Sequence, residues 1–186
     1  LGLERSQRQL VAGLAEIGLT GARLLEIGCG VGFLLQHLLE RGASQAVGVD
    51  LSAAMLAEAE TQARRRGLSG RVRYVQGDFL DLATNLEPVD IVILDKVICC
   101  YPDAEALLTR AAEHARRAVA LTYPRLTLLN RIGMQAVNRC LAWVGSGFRT
   151  YLHDPQAVEA WLSQAGLTKA YEAKTLVWRT EVFIRP

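Results

Sequence analysis

The sequence predicts an α/β fold, a doubly wound, seven-stranded, mostly parallel sheet with an antiparallel hairpin at one edge. Short apolar, β-branched runs alternate with longer segments of helical period, the pattern of βαβ units. A glycine-rich turn, Glu26-Ile27-Gly28-Cys29-Gly30-Val31-Gly32, follows the first of those runs. The last two runs are separated by only Lys174 and Thr175, too few residues for a crossover helix, so they must pair antiparallel.

Strands are expected at 23–27, 46–50, 72–76, 89–95, 119–123, 167–173 and 176–184, each buried on both faces as parallel strands are. A helix after Asp50 is marked by Ser52 as N-cap, by Glu60 and Arg64 at i,i+4, and by Gly67 at its end. The triplet Arg64-Arg65-Arg66 closes that helix and favours its dipole. A second helix starts at Asp103, with Leu107, Leu108, Ala111 and Ala112 on one face. A third has Asp154 as cap, Pro155 at N1 and Gly166 at its close. Between the fifth strand and that helix, Leu129, Ile132, Gly133, Ala136, Val137, Cys140, Leu141 and Val144 form a helical stripe of their own. This is an insertion at about 125–150, a candidate lid; the plainer expectation is an amphipathic helix packed on the core.

With 186 residues and 51% hydrophobic content, one domain over 1–186 is expected. The 21 basic and 19 acidic residues nearly balance, so no nucleic-acid footprint is visible and no nucleic-acid partner is expected. Cys29, Cys99, Cys100 and Cys140 show no metal-binding spacing and need no disulfides, which favours a reducing, cytoplasmic compartment and no metal. No apolar run reaches membrane-spanning length and no leader pattern is visible, although a chain that opens on Leu1 leaves room for upstream residues.

The glycine turn stands where a strand ends and a helix begins, so its free N–H groups and missing side chains admit a nucleotide-like ligand. Dinucleotide folds place GxGxxG here, but this chain spells GxGxG, with Phe33 where the third glycine would be needed. Glu26, two residues before the first glycine, repels a pyrophosphate and suits an amino-bearing cationic ligand. Asp50, ending the second strand, can accept both hydroxyls of a ribose. Gly77-Asp78-Phe79 follows the third strand, where a carboxylate can accept from an adenine amine while a neighbour covers the ring.

Together, ExGxGxG, the acid ending strand two, Gly-Asp-Phe after strand three and Asp95 ending strand four resemble the class I S-adenosylmethionine (SAM) dependent methyltransferases, over essentially the whole chain. The resemblance implies a Rossmann-like sheet with its last strand antiparallel and SAM over the carboxyl ends of strands one, two and four, leaving S-adenosylhomocysteine as product. It implies cofactor contacts from Glu26, Gly28, Cys29, Gly30, Gly32, Asp50, Leu51, Met55, Gly77, Asp78, Phe79 and Asp95. Two stretches, Asp95-Lys96-Val97-Ile98-Cys99-Cys100-Tyr101-Pro102 and Arg149-Thr150-Tyr151-Leu152-His153, are similar to the magnesium-protoporphyrin methyltransferase subgroup. There a histidine precedes the Tyr-Pro pair; here Cys100 does.

The activated methyl leaves the protein mainly positioning and proton removal to perform. Topology nominates Lys96, Cys99, Cys100, Tyr101, Tyr123, Tyr151 and His153 along the acceptor rim, with His153, Tyr151 and Tyr101 as catalytic candidates. His114 points to the opposite rim. Arg125, Arg131, Arg139 and Arg149 with no Asp or Glu from Arg125 to His153 suit an apolar or amphiphilic anionic small-molecule acceptor, or peripheral contact with an anionic membrane. Adjacent Cys99 and Cys100 also admit an arsenite-methylation reading. The rival functions are a SAM-binding scaffold without catalysis and a nicotinamide-dependent oxidoreductase.

Overall fold

The computed structural model describes residues 2–186. The elements run in chain order α1 (Arg5–Glu16), β1 (Arg23–Ile27), α2 (Phe33–Glu40), β2 (Gln45–Asp50), α3 (Ala53–Arg65), β3 (Val72–Gln76), α4 (Phe79–Leu82) and β4 (Val89–Asp95). They continue with α5 (Ala104–His114), β5 (Ala115–Pro124), α6 (Leu128–Trp143), α7 (Pro155–Gln164), β6 (Thr168–Lys174) and β7 (Trp178–Ile184). One sheet carries all seven strands in the order β3-β2-β1-β4-β5-β7-β6. β1 to β5 are parallel, while β7 runs antiparallel to both β5 and β6, as the short gap after Lys174 requires.

Strand β4 shows how the sheet makes two cores. Its side chains alternate faces. Val92 and Leu94 join Leu25, Ile27, Val119 and Phe183 beneath α5 and α7. Ile91 and Ile93 join Leu24, Ala118 and Val182 beneath α1 and α2. The expectation of burial on both faces holds for the central strands and fails at the edges. β3 buries only Val72, with Arg73 and Gln76 exposed, and β6 alternates between exposed and half-buried, because an edge strand has a covering neighbour on one side only.

The expected caps form. Ser52 Oγ accepts from Met55 N–H, Asp103 from Ala106 N–H, and Asp154 from Gln156 N–H ahead of Pro155. Helix α1, absent from the sequence-based assignment, begins with a reciprocal capping box between Glu4 and Gln7 and buries Leu10, Val11 and Leu14.

The insertion is helical as expected, but the expectation that its stripe packs on the core is overturned. Leu129, Ile132, Val137 and Val144 of this segment are exposed, and Asn130 is the residue of α6 that is buried. The inner face is fastened by polar groups instead. Asn130 Nδ2 donates to the carbonyls of Arg125 (2.8 Å) and Val177 (2.9 Å), and Asn138 bonds Thr150 through both its Nδ2 and its Oδ1.

Candidate active site

The strand order reverses direction between β1 and β4, so the loops leaving these strands splay apart and open a crevice at their carboxyl ends. One wall is the glycine turn. Gly28 has φ +69°, and a Cβ there would stand 2.4 Å from Val97 Cγ2, so the turn closes on the β4 loop only with glycine. Gly30, at φ +52°, has nothing within 4 Å of where a Cβ would sit; its missing side chain leaves a cradle. Gly32 caps α2.

Asp50 holds this turn from the end of β2. Its Oδ2 accepts from Gly30 N–H at 2.8 Å and its Oδ1 from Ser52 N–H at 2.9 Å. Each carboxylate oxygen keeps a further lone pair for a ligand hydroxyl. Leu51 and Met55 stand exposed beside it, an apolar surface at the crevice edge. Gly77 N–H is tied to the Asp50 carbonyl at 3.0 Å, which brings the β3 loop alongside. There Asp78 caps α4, and its Oδ1 also receives the Tyr101 hydroxyl at 2.7 Å.

The floor is acidic. Glu26 is 3% exposed and Asp95 half-buried; Glu26 Oε2 and Asp95 Oδ1 are both buried with no hydrogen-bond partner among the described residues. Burial, then the neighbouring Asp95, pushes the Glu26 carboxyl well above the usual carboxylate range. Burial likewise raises Asp95, against the lowering pull of a bond from Gln7 Nε2 to its Oδ2 at 3.0 Å. Two neighbouring acids, each with a buried and unused oxygen, are what the ammonium of an amino acid moiety would satisfy. With the open cradle at Gly30, this donor and acceptor set fits SAM.

Several expected roles change. Phe79 does not cover an adenine: its ring is 2% exposed, buried in the core edge-on to His114. The adjacent Leu80 remains half-buried. Tyr101 is not a free base, because its hydroxyl is committed to Asp78, and burial followed by that bond raises its pKa. Tyr123 leaves the rim entirely; it is fully buried and donates to Glu181 Oε2 at 2.5 Å. Cys29 is buried in the turn, and burial, then Glu26, keeps its thiol protonated.

His153 and Tyr151 do come to the crevice side. Tyr151 N–H donates to the Cys99 carbonyl at 2.7 Å, and His153 Nε2 lies 2.8 Å from the Ile98 carbonyl. A carbonyl only accepts, so Nε2 is the nitrogen that donates, and Nδ1 is left outside this bond. His114 is bonded to the carbonyls of Arg110 and Ala83, away from the crevice. Sequence reasoning missed Gln7 and Glu4 of the α1 entry, which reach Asp95 and Lys96. The signal was the Glu4/Gln7 box ahead of Leu10, Val11 and Leu14. Lys96 itself has φ 63° and lies 5.2 Å from the Trp178 ring.

Two sizeable cavities lie elsewhere, one of about 430 Å³ between Arg23, Arg71 and Leu86 at the opposite rim and one of about 500 Å³ beside α5. Neither is lined by the glycine turn or its acids, so the strand tips, and not cavity size, locate the site.

Residues 24–118 match the family model described as "Methyltransferase domain". The chain belongs to this family. It is 31% identical over 173 residues to a ubiquinone biosynthesis O-methyltransferase of Rhizobium etli, covering 90% of this chain and 66% of that protein. It is 30% identical over 166 residues to the tRNA 5-carboxymethoxyuridine methyltransferase of Escherichia coli, covering 82% and 62%. The chain thus spans slightly less than two thirds of these curated relatives. Among solved structures it is similar to magnesium protoporphyrin IX methyltransferase of Synechocystis with bound S-adenosylhomocysteine, at 25% identity, TM-score 0.76, and 97% and 83% coverage. The class I SAM methyltransferase assignment, its fold and its cofactor therefore stand. They also decide against the nicotinamide alternative.

Proposed function

We propose that this methyltransferase transfers a methyl group from SAM to a small apolar or amphiphilic acceptor carrying an anionic group. The observation that carries the acceptor class is a groove of about 350 Å³ beneath α6. Leu126, Met134 and Leu152 make part of its lining apolar, Gln135 and Asn138 are polar, and Arg131 supplies a cation. No carboxylate lies between Arg125 and His153 to neutralise that arginine locally. The names of the relatives, one acting in ubiquinone biosynthesis and one on magnesium protoporphyrin IX, support a lipophilic acceptor. The tRNA relative keeps a nucleic-acid acceptor as the contrasting outcome.

When bound, SAM supplies a methyl group already activated on a sulfonium. Glu26 and Asp95 would receive its ammonium, Asp50 its ribose hydroxyls and Asp78 its adenine amine, with Leu51 and Met55 against the base. Tyr101 orients Asp78, and the 125–150 insertion borders the acceptor groove as a partial lid. His153, fixed through Nε2–H, offers Nδ1 to take the proton of an ionising acceptor. Four free cysteines, one of them the exposed Cys140, suit a reducing, cytoplasmic setting.

The test is incubation with methyl-labelled SAM and cell extract, followed by identification of the labelled product. Label in a lipophilic small molecule, with KM for that acceptor raised in Arg131→Gln, is the expected result. Label confined to RNA or protein overturns the acceptor class, and no label in any fraction favours a scaffold role.

A further inference from the structure

Helix α6 is inside out. Its inner face is fastened by Asn130 and Asn138, while Leu128 (72% exposed), Leu129 (61%), Ile132 (57%) and Trp143 (90%) face solvent. On a helical projection, Leu129, Ile132, Gly133, Ala136, Val137, Cys140, Trp143 and Val144 fall within one continuous sector. Phe148, just beyond, and Leu176, in the turn between β6 and β7, are exposed as well. Val177 of that turn is the residue to which Asn130 is tied, so the turn and the start of α6 are neighbours. An apolar face of this kind is not what a monomer in water retains without use.

The charge around it indicates what covers it. Arg139 borders the apolar sector, Arg125 and Arg149 lie at the two ends of the segment, Arg131 is on the opposite side in the groove, and no Asp or Glu occurs from Arg125 to His153. An apolar stripe flanked by cations, with an aromatic residue at the helix end, is the composition of a helix lying in the interfacial plane of an anionic bilayer. No helix among the described residues is long and apolar enough to cross a membrane. With 16 residues, α6 can lie in the interface but is short for spanning it.

We propose that α6, with Phe148 and the tip of the β6–β7 turn, is a docking surface for an anionic lipid bilayer. It leaves the carboxyl end of β5, and its return segment is tied at Tyr151 and His153 to the turn after β4, so it shares a rim with the crevice. A docked molecule would therefore present its acceptor side to the lipid surface. This inference does not depend on the acceptor reading, because vesicle binding is measured with no acceptor present.

The test is co-sedimentation of the full chain with vesicles containing phosphatidylglycerol and with pure phosphatidylcholine vesicles, alongside quenching of Trp143 by brominated lipid. Binding to the anionic vesicles, salt-sensitive and with Trp143 quenched, is expected. Arg139→Gln with Arg149→Gln should lower the partition coefficient about thirtyfold. Leu129→Ser with Ile132→Ser and Trp143→Ser should abolish sedimentation while SAM binding, measured by calorimetry, persists. Absence of vesicle binding, or equal binding to neutral and anionic vesicles, overturns the proposal. So does a lipid-free dimer in which Trp143 is shielded, since a second copy would then be the occupant.

Discussion

Replacing Glu26 by glutamine is expected to make the unliganded protein more stable and its hold on SAM weaker. Glutamine has the same shape but no charge to desolvate. The Glu26 carboxyl is raised well above its ordinary 4.5 by burial and by Asp95, so the folded state keeps a proton that the unfolded chain has lost. Over the window from 4.5 up to that raised value, the native state binds more protons, and stability falls as pH rises. Each pH unit inside the window costs about 1.4 kcal/mol, which limits the gain from Glu26→Gln at pH 7 to about 3 kcal/mol. For a chain of this size that is a rise in Tm of up to about 10 °C. Below the window the two proteins should melt together. The binding effect has the opposite sign: loss of a charge-assisted hydrogen bond of about 1.5–3 kcal/mol raises Kd for SAM about 10- to 150-fold. Melting curves from acid to neutral pH, with calorimetric titration of SAM, read both effects. Unchanged melting across that range together with unchanged affinity would refute a buried carboxylate reserved for the ligand.

Asp50→Ala removes the acceptor of Gly30 and Ser52 N–H as well as the ribose partner, and should raise Kd for SAM by about a hundredfold or more, measured by the same titration. Glu181 is fully buried and meets Tyr123, Lys169 and Arg179, so Glu181→Ala strands these groups and should cost about 3–5 kcal/mol in a denaturant melt. Cys100 is drawn down to about 7 by the hydrogen bond it shares with Cys99 across 3.7 Å, burial opposing. Alkylation followed by mass spectrometry should modify Cys100 with a midpoint near that pH and spare Cys99, whose thiol is raised by the same bond and by burial.

Most of the fold was legible because its signals are local. The glycine turn, the caps at Ser52, Asp103 and Asp154, and the gap at Lys174-Thr175 act within a few residues of where they stand. What was not legible depended on distant partners. Periodicity places Leu129, Ile132 and Val144 on one face but cannot say which way that face turns. Asn130 decides it by bonding the Val177 carbonyl, 47 residues away. The motif around Asp78 was legible, whereas the side of the chain taken by Phe79 was settled by its packing into the core against His114. Tyr123 sits at a strand end, where a rim residue was expected, yet the return of β7 buries it against Glu181. Helix α1 carries a weak sequence signal because its buried face has only three large apolar residues, and Gln7, the partner of Asp95, lies on it.

A crystal structure with S-adenosylhomocysteine bound tests the central claim most directly. The account predicts the amino group at Glu26 Oε2 and Asp95 Oδ1, the ribose hydroxyls on Asp50, and the adenine edge at Asp78. A ligand seated away from the β1 and β4 tips, with those carboxylates still without partners, would contradict it.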